Sequence, residues 1–173
     1  MVVYIRLLYF AGLWKSNGNY IIKTCPLVCS NNKERQKQMK HLDVVAAIII
    51  HEGQILCMQR GQAKQDYIFY KYEFPGGKIE AGETRTEALM RELREEMNIE
   101  ITIEEKDYFM TINHVYPDFE LTMHSFICHV DTKKFVRREH VNHQWVKPQE
   151  LKTLEWAPAD YPIVERLMEE MMS

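Results

Sequence analysis

Three glutamates, Glu92, Glu95 and Glu96, have the spacing that lets one helix gather carboxylates on a single strip. At about 100 degrees per residue they fall on an arc roughly 100 degrees wide, with only the small Ala88 among them. Glu92 and Glu96 then stand one turn apart and Glu92 and Glu95 nearly so. Each like-charge pair costs roughly a few tenths of a kcal/mol on an exposed helix, and burial raises that cost. A divalent cation reverses the sign. Magnesium, with manganese as the alternative, takes hard oxygen ligands, keeps several waters, and binds through carboxylates together with substrate phosphates. The competing reading is a solvated face laced by salt bridges to Arg91 and Arg94.

Immediately upstream the chain reads Phe74-Pro75-Gly76-Gly77-Lys78-Ile79-Glu80-Ala81-Gly82-Glu83. Two adjacent glycines let the backbone bend tightly and approach a phosphate, and Lys78 adds a point charge. Such a loop alone is weak evidence; its position before the acid helix is stronger. Gly77, Glu83 six residues on, Arg91-Glu92-Leu93 and Glu95-Glu96 together resemble the Nudix box of diphosphate hydrolases, with one departure, Asn98 where that family usually has glycine. Asn tolerates the left-handed conformation at a helix C-terminus, so the departure does not argue for lost activity. The resemblance implies that Glu92, Glu95 and Glu96 ligate Mg2+ (or Mn2+), with Gly76 in the same metal set. It implies that Arg91 holds the loop through a salt bridge and that Glu83 orients the helix or its loop, with Gly77 and Gly82 structural. The metals would bridge diphosphate oxygens, neutralise charge in the phosphoryl transition state and acidify an attacking water.

Flanking segments point to a branch of that family. Lys71 to Glu80 and His114-Val115-Tyr116-Pro117-Asp118-Phe119 resemble MutT-type enzymes, and Trp156 to Pro162 is similar to a segment that contacts the base there. Glu139, six residues before Trp145, matches a fourth carboxylate of the family, as a ligand or water-orienting base; the alternative is an exposed charge beside Arg137 and Arg138. Arg60 and Lys78 are phosphate-binding candidates, Arg60 competing with a role as a strand-end surface charge. Phe119 either stacks on the base, worth roughly 1–3 kcal/mol, or packs in the core. Asp160 either caps the last helix or contacts the base. An ionised carboxylate only accepts hydrogen bonds, so in the second role it suits the cytosine amino group or guanine N1–H and N2–H.

The resemblance therefore implies a Mg-dependent nucleoside triphosphate pyrophosphohydrolase of MutT type. It would convert oxidised or non-standard (d)NTPs such as 8-oxo-dGTP to monophosphate and pyrophosphate. CTP, dCTP or 5-methyl-dCTP are competing substrates. A reading of another class is a Nudix-fold module that binds nucleotide without cleaving it; intact Glu92, Glu95 and Glu96 weigh against it. No Ser-His-Asp or Cys-His spacing calls for a covalent intermediate.

These residues need elements to hold them. Asp43–His51 and Gln54–Gln59 read as a hairpin turning at Gly53, and Lys71–Phe74 as a strand that Pro75-Gly76-Gly77 terminates, because proline and two glycines do not continue a ladder. Thr84 is a candidate N-cap with Glu87 completing a capping box, and the helix is expected to end near Asn98. Leu89, Leu93 and Met97 form its apolar stripe, with Thr86 and Met90 nearby. Asp107–His114 and Phe119–Val130 read as strands around a Tyr116-Pro117-Asp118 turn, Val141–Lys147 as another, and Ile163, Val164, Leu167, Met168 and Met171 as a second amphipathic helix. The fold class is α/β, and the family resemblance makes it a Nudix-type α/β/α sandwich around a mixed β-sheet.

At 173 residues, 46% hydrophobic and 27% charged, the chain suits one domain. Its net charge of -3 offers no basic field for a nucleic-acid polymer, so the expected partner is a small nucleoside triphosphate. Four scattered cysteines, with Cys25 and Cys29 lacking a second ligand pair, imply neither a disulfide framework nor zinc, and point to a reducing, cytoplasmic setting. The apolar stretch from Val2 to Trp14 is interrupted by Arg6 and is too short to span a bilayer. We expect residues 1–38 to be a non-native or poorly ordered extension, Met39 to be a candidate start, and residues 39–173 to form the Nudix hydrolase domain.

Overall fold

The strand at the centre of the sheet is buried on both faces, and its sequence shows why. In a computed structural model, which describes residues 14–16, 19–21, 39–63 and 65–171, Val45, Ala47 and Ile49 enter one core while Ala46, Ile48 and Ile50 enter another. A strand's side chains alternate between faces, so an unbroken apolar run is what a sheet covered on both sides requires.

The chain divides into two compact units, Met1–Gln38 and Met39–Ser173. In the first, β1 (Trp14–Ser16) pairs antiparallel with β2 (Asn19–Ile21); the expectations for the rest of that segment, Cys25 and Cys29 included, lie outside the described residues. The second unit runs β3 (Lys40–His51), β4 (Gln54–Gln59), β5 (Tyr72–Glu73), β6 (Gly76–Lys78), α1 (Arg85–Met97), β7 (Tyr108–Val115), β8 (Phe119–His129), β9 (Asn142–Val146) and α2 (Tyr161–Met171). The sheet order is β5-β4-β3-β8-β7, with β6 also on β3 and β9 also on β4. It is mixed: β3 and β8 run parallel from Lys40↔Phe119 to Ile50↔His129, and the other pairs are antiparallel. On one face Ala88, Leu89, Leu93 and Met97 of α1 pack with Phe126 and the odd-numbered β3 residues. On the other, Ile163, Val164 and Leu167 of α2 pack with Trp156, Phe109 and the even-numbered ones. The α/β/α arrangement follows. Truncating Leu93, 1% exposed, would cost about 2–5 kcal/mol.

One expectation is overturned. Pro75-Gly76-Gly77 does not terminate pairing; Gly76–Lys78 continues as β6 against Val44–Ala46. The β3–β4 hairpin is paired only at Ile50↔Ile55 and His51↔Gln54. It opens like a fork, and the segment after β5 enters the opening. Proline is harmless there because its carbonyl is what is used, accepting from the Ala47 N–H at 2.7 Å. Glycine at 76 is required: its φ is +156°, and a Cβ would overlap the Val45 carbonyl oxygen.

Helix α1 starts and stops as its sequence signals. The Glu87 N–H donates to Thr84 Oγ1 at 3.2 Å and the Thr84 N–H to Glu87 Oε2 at 2.8 Å, a reciprocal capping box. Asn98 takes the left-handed conformation, φ 54° and ψ 37°, and the next N–H, of Ile99, reaches the Leu93 carbonyl at 3.1 Å.

Gly76→Ala is expected to cost well over the roughly 1 kcal/mol typical of alanine at a positive-φ glycine. Gly53→Ala, at φ +73° with nothing within 4 Å of the added methyl, is the control expected near that figure. Urea unfolding of both variants checks the ranking; equal losses would mean that β6 does not lie against β3 as described.

Candidate active site

The fork in the sheet forms one wall of a cavity of about 500 Å³. Its lining includes Gly76, Gly77, Lys78, Glu92, Glu96 and Glu139 as well as Arg60, Phe119, Asp160, Glu73, Phe74 and Tyr116. The structure thus brings nine of the sequence candidates together. Glu95, Arg91, Glu83 and Gly82 are not in the lining.

Gly77 sets the acid end. A Cβ at that position would land on the Glu92 carboxylate, so the bare backbone of β6 is what lets this side chain, only 14% exposed, lie against the loop. Arg91 holds it there. Its Nε and Nη2 grip both Glu83 oxygens at 2.6 and 2.9 Å, its Nη1 donates to Glu92 Oε1 at 2.9 Å, and Nη2 also donates to the Lys78 carbonyl at 3.0 Å. A planar fork suits this multiple role as lysine would not. The Arg91 guanidinium, aided by the Glu80 N–H, holds the Glu83 carboxyl down at about 2. Glu95 lies apart, 62% exposed, with Oε2 reached by Arg91 Nη1 at 3.4 Å. Helix geometry placed it on the acid strip but could not show that its side chain turns outward.

Glu96 is the awkward member. Among the described residues its Oε2 is buried without a hydrogen-bond partner, and burial, then the charge of Glu139, push its pKa up to about 8. An orphaned buried oxygen beside a second carboxylate is what a hard cation would satisfy. Among the described residues no three His, Cys, Asp or Glu side chains converge as a ligand group. A cation that retains several waters does not need them to. The donor set of Glu92, Glu96 and Glu139 therefore fits magnesium or manganese.

Asp160, also in the lining, is 6% exposed. The hydrogen bond its side chain makes among the described residues is from the Phe74 N–H, at 2.9 Å to Oδ1, so it ties the start of α2 to the segment after β5. Burial, reinforced by the charge of Glu73, pushes its pKa up to about 8. The acceptor-only reading of an ionised Asp160 therefore applies above that pH, and a protonated Asp160 below it offers one O–H donor. Phe119 is half-buried, its ring 4.8 Å from that of Tyr116, packing partly on the core while lining the cavity.

Arg60 lines the cavity too, but its Nε is committed to Glu73 Oε2 at 2.8 Å. Glu73 was not among the sequence candidates. A charged residue one place before the buried Phe74, in a segment matching a family motif, was the available signal. Tyr116, whose hydroxyl accepts from the Ala159 N–H at 3.2 Å, lies in the His114–Phe119 segment of the MutT resemblance but was not singled out as a site residue.

Residues 44–166 match a family described as the NUDIX domain, and the chain belongs to the Nudix family. It is 37% identical to an Escherichia coli CTP pyrophosphohydrolase, over 75% of this chain and 93% of that protein. It is also 30% identical to an 8-oxo-dGTP diphosphatase of the same species, over 75% of this chain and 98% of that one. The solution structure of the E. coli ORF135 protein matches with a TM-score of 0.65 at 35% identity, over 77% of this chain and 92% of that chain. The crystal structure of a MutT protein from Methanosarcina mazei Go1 has the same fold, with a TM-score of 0.68 at 24% identity, over 79% and 99% of the two chains.

A carboxyl raised from 3.8 to about 8 stays protonated in the folded chain where the unfolded chain has ionised. Stability therefore falls as pH rises between about 4 and 8, by up to about 1.4 kcal/mol per pH unit for one such group. Asp160→Asn keeps an acceptor for the Phe74 N–H and cannot ionise. Urea unfolding at about pH 5 and pH 8 should show the wild type losing more stability across that interval than the variant; equal losses would contradict the assignment.

Proposed function

We propose that this chain is a nucleoside triphosphate pyrophosphohydrolase of MutT type. It hydrolyses oxidised or non-standard (d)NTPs, such as 8-oxo-dGTP, to a monophosphate and pyrophosphate. The observation that carries the reading is the single cavity, with Glu92, Glu96 and Glu139 in its lining together with Phe119, Tyr116 and Asp160. That juxtaposition matches a substrate with a polyphosphate at one end and a base at the other. Bound at the carboxylates, a divalent cation, magnesium by preference, would neutralise charge on the phosphate oxygens and acidify the attacking water.

The residues of the chain do the rest. Arg91 keeps Glu92 aimed into the cavity, and Lys78 and Arg60 draw the phosphates in. Glu139 orients a water molecule and takes its proton as the water oxygen bonds to phosphorus and the α/β anhydride bond breaks, with pyrophosphate leaving. Gly76 lends its backbone to the metal end, while Gly77, Gly82 and Glu83 shape the loop. Phe119 stacks on the base, and Asp160 meets its hydrogen-bonding edge. The acting domain is residues 39–173, with residues 1–38 an appendage to it. The setting is cytoplasmic, a reading supported by Cys57 and Cys128, both free and buried.

A second reading, a CTP, dCTP or 5-methyl-dCTP pyrophosphohydrolase, is supported by the 37% identity to an Escherichia coli CTP pyrophosphohydrolase. An aspartate that changes from donor-bearing to acceptor-only near pH 8 can serve either base.

Pyrophosphate release with Mg2+ from 8-oxo-dGTP, CTP, dCTP and 5-methyl-dCTP tests the reading. Glu92→Gln is expected to lower kcat by roughly a hundredfold or more. No release from any triphosphate, with the variant equal to wild type, would leave a nucleotide-binding module instead. Asp160→Asn is expected to change the order of the four substrates while leaving the Mg2+ dependence alone. An equal loss on all four would return Asp160 to a purely structural role.

A further inference from the structure

The cavity holds Glu139 on a segment with no regular structure of its own, residues 131–141 between β8 and β9. A connection of that length has many conformations, yet here it is pinned on both sides of the glutamate. Before it, the Val136 N–H donates to the Met97 carbonyl at 2.9 Å, and Arg138 Nη1 donates to the Glu95 carbonyl at 2.5 Å. Both acceptors belong to the last turn of α1, where helix carbonyls lack intrahelical donors. After it, His140 Nε2 bonds Glu73 Oε1 at 2.8 Å and the Val141 N–H donates to the Gln59 carbonyl at 3.0 Å.

The His140 anchor is a built feature. Its side chain is 8% exposed and that of Glu73 13%. A carboxylate only accepts, so Nε2 carries the proton. The other Glu73 oxygen is held by Arg60 Nε at 2.8 Å. With both oxygens engaged, the Glu73 carboxylate is fixed in its plane and the His140 ring is fixed against it. Glu139 lies between two anchored neighbours, one tied to the helix that carries Glu92 and Glu96 and one tied to β5.

We infer that Arg138 and His140, with Glu73 as the anchor of the latter, form a clasp that positions the Glu139 carboxylate beside Glu96. They are positioning residues that act through Glu139 and do not touch substrate. The inference rests on the proposed role of Glu139 in hydrolysis. An exposed arginine-to-carbonyl bond contributes little to global stability, so a purely structural Arg138 would be nearly silent in catalysis. A clasp residue would not be.

The test is a set of double-mutant cycles: Arg138→Ala, His140→Ala and His140→Gln, each in the wild-type and Glu139→Gln backgrounds, assayed with CTP and 8-oxo-dGTP in Mg2+. Arg138→Ala and His140→Ala are expected to lower kcat about tenfold or more with KM held within about twofold. His140→Gln, whose amide can still donate to Glu73, should restore most of it. In the Glu139→Gln background the same substitutions should change kcat by less than about twofold. Amide hydrogen exchange of the metal-free protein should show faster exchange at Val136 and Val141 in the two alanine variants, with α1 unchanged. Equal fold-losses in both backgrounds, or alanine variants as active as wild type, would overturn the clasp. If the wild type hydrolyses no triphosphate, the proposed function fails and the exchange measurement alone decides, unchanged exchange overturning the clasp.

Discussion

The carboxylate of Glu92 occupies the place a side chain at position 77 would take, and the architecture of the site depends on that contact. Helix α1 comes this close to β6 because one is bare backbone there and the other offers a charged group that the contact partly dehydrates. Such a group is costly to bury unless it is paired. Arg91 supplies the pairing from the same helix, and by also holding Glu83 and the Lys78 carbonyl it makes loop and helix one rigid corner.

That corner needs a sheet that splits. If β3 and β4 paired along their whole length, nothing could enter between them. Because they separate beyond Ile50↔Ile55, the Pro75–Lys78 segment lies in the gap, with Gly76 against the Val45 carbonyl and Gly77 against Glu92. Apolar layers on both faces keep the opened sheet rigid, α1 on one side and α2 on the other. The buried Asp160 fastens the start of α2 to the segment after β5 through the Phe74 N–H. Glu73, Phe74, Gly76, Gly77 and Lys78, all in the lining of the cavity, thus come from one piece of chain.

Much of this was legible in the sequence. The capping box at Thr84 and Glu87, the left-handed Asn98 and the stripe of Leu89, Leu93 and Met97 are local properties, set within one or two helical turns. The α/β class also followed, from strand-like runs alternating with helical ones, while the mixed sheet was an expectation carried by the family resemblance. What could not be read depends on partners far along the chain. Pro75-Gly76-Gly77 is a strand only because β3 offers it an edge. The helical wheel groups Glu95 with Glu96, but the side chain of Glu95 is 62% exposed and meets Arg91, while Glu96 is half-buried with its Oε2 turned inward. The charge state of Asp160 depends on how deeply α2 packs and on Glu73. The bond from His140 to Glu73 spans 67 positions, and no local pattern announces it.

The central claim is that the group of Glu92 and Glu96 on α1 with Glu139 from the β8–β9 connection is electrostatically unfavourable alone and would be completed by a divalent cation. Thermal unfolding of the wild type and of Glu96→Gln, with and without Mg2+ and in the absence of nucleotide, tests it most directly. The account predicts that Mg2+ raises the wild-type midpoint. It also predicts that Glu96→Gln raises the metal-free midpoint and loses most of the response to Mg2+. A wild-type midpoint indifferent to Mg2+, together with a Glu96→Gln variant no more stable than wild type without metal, would contradict it.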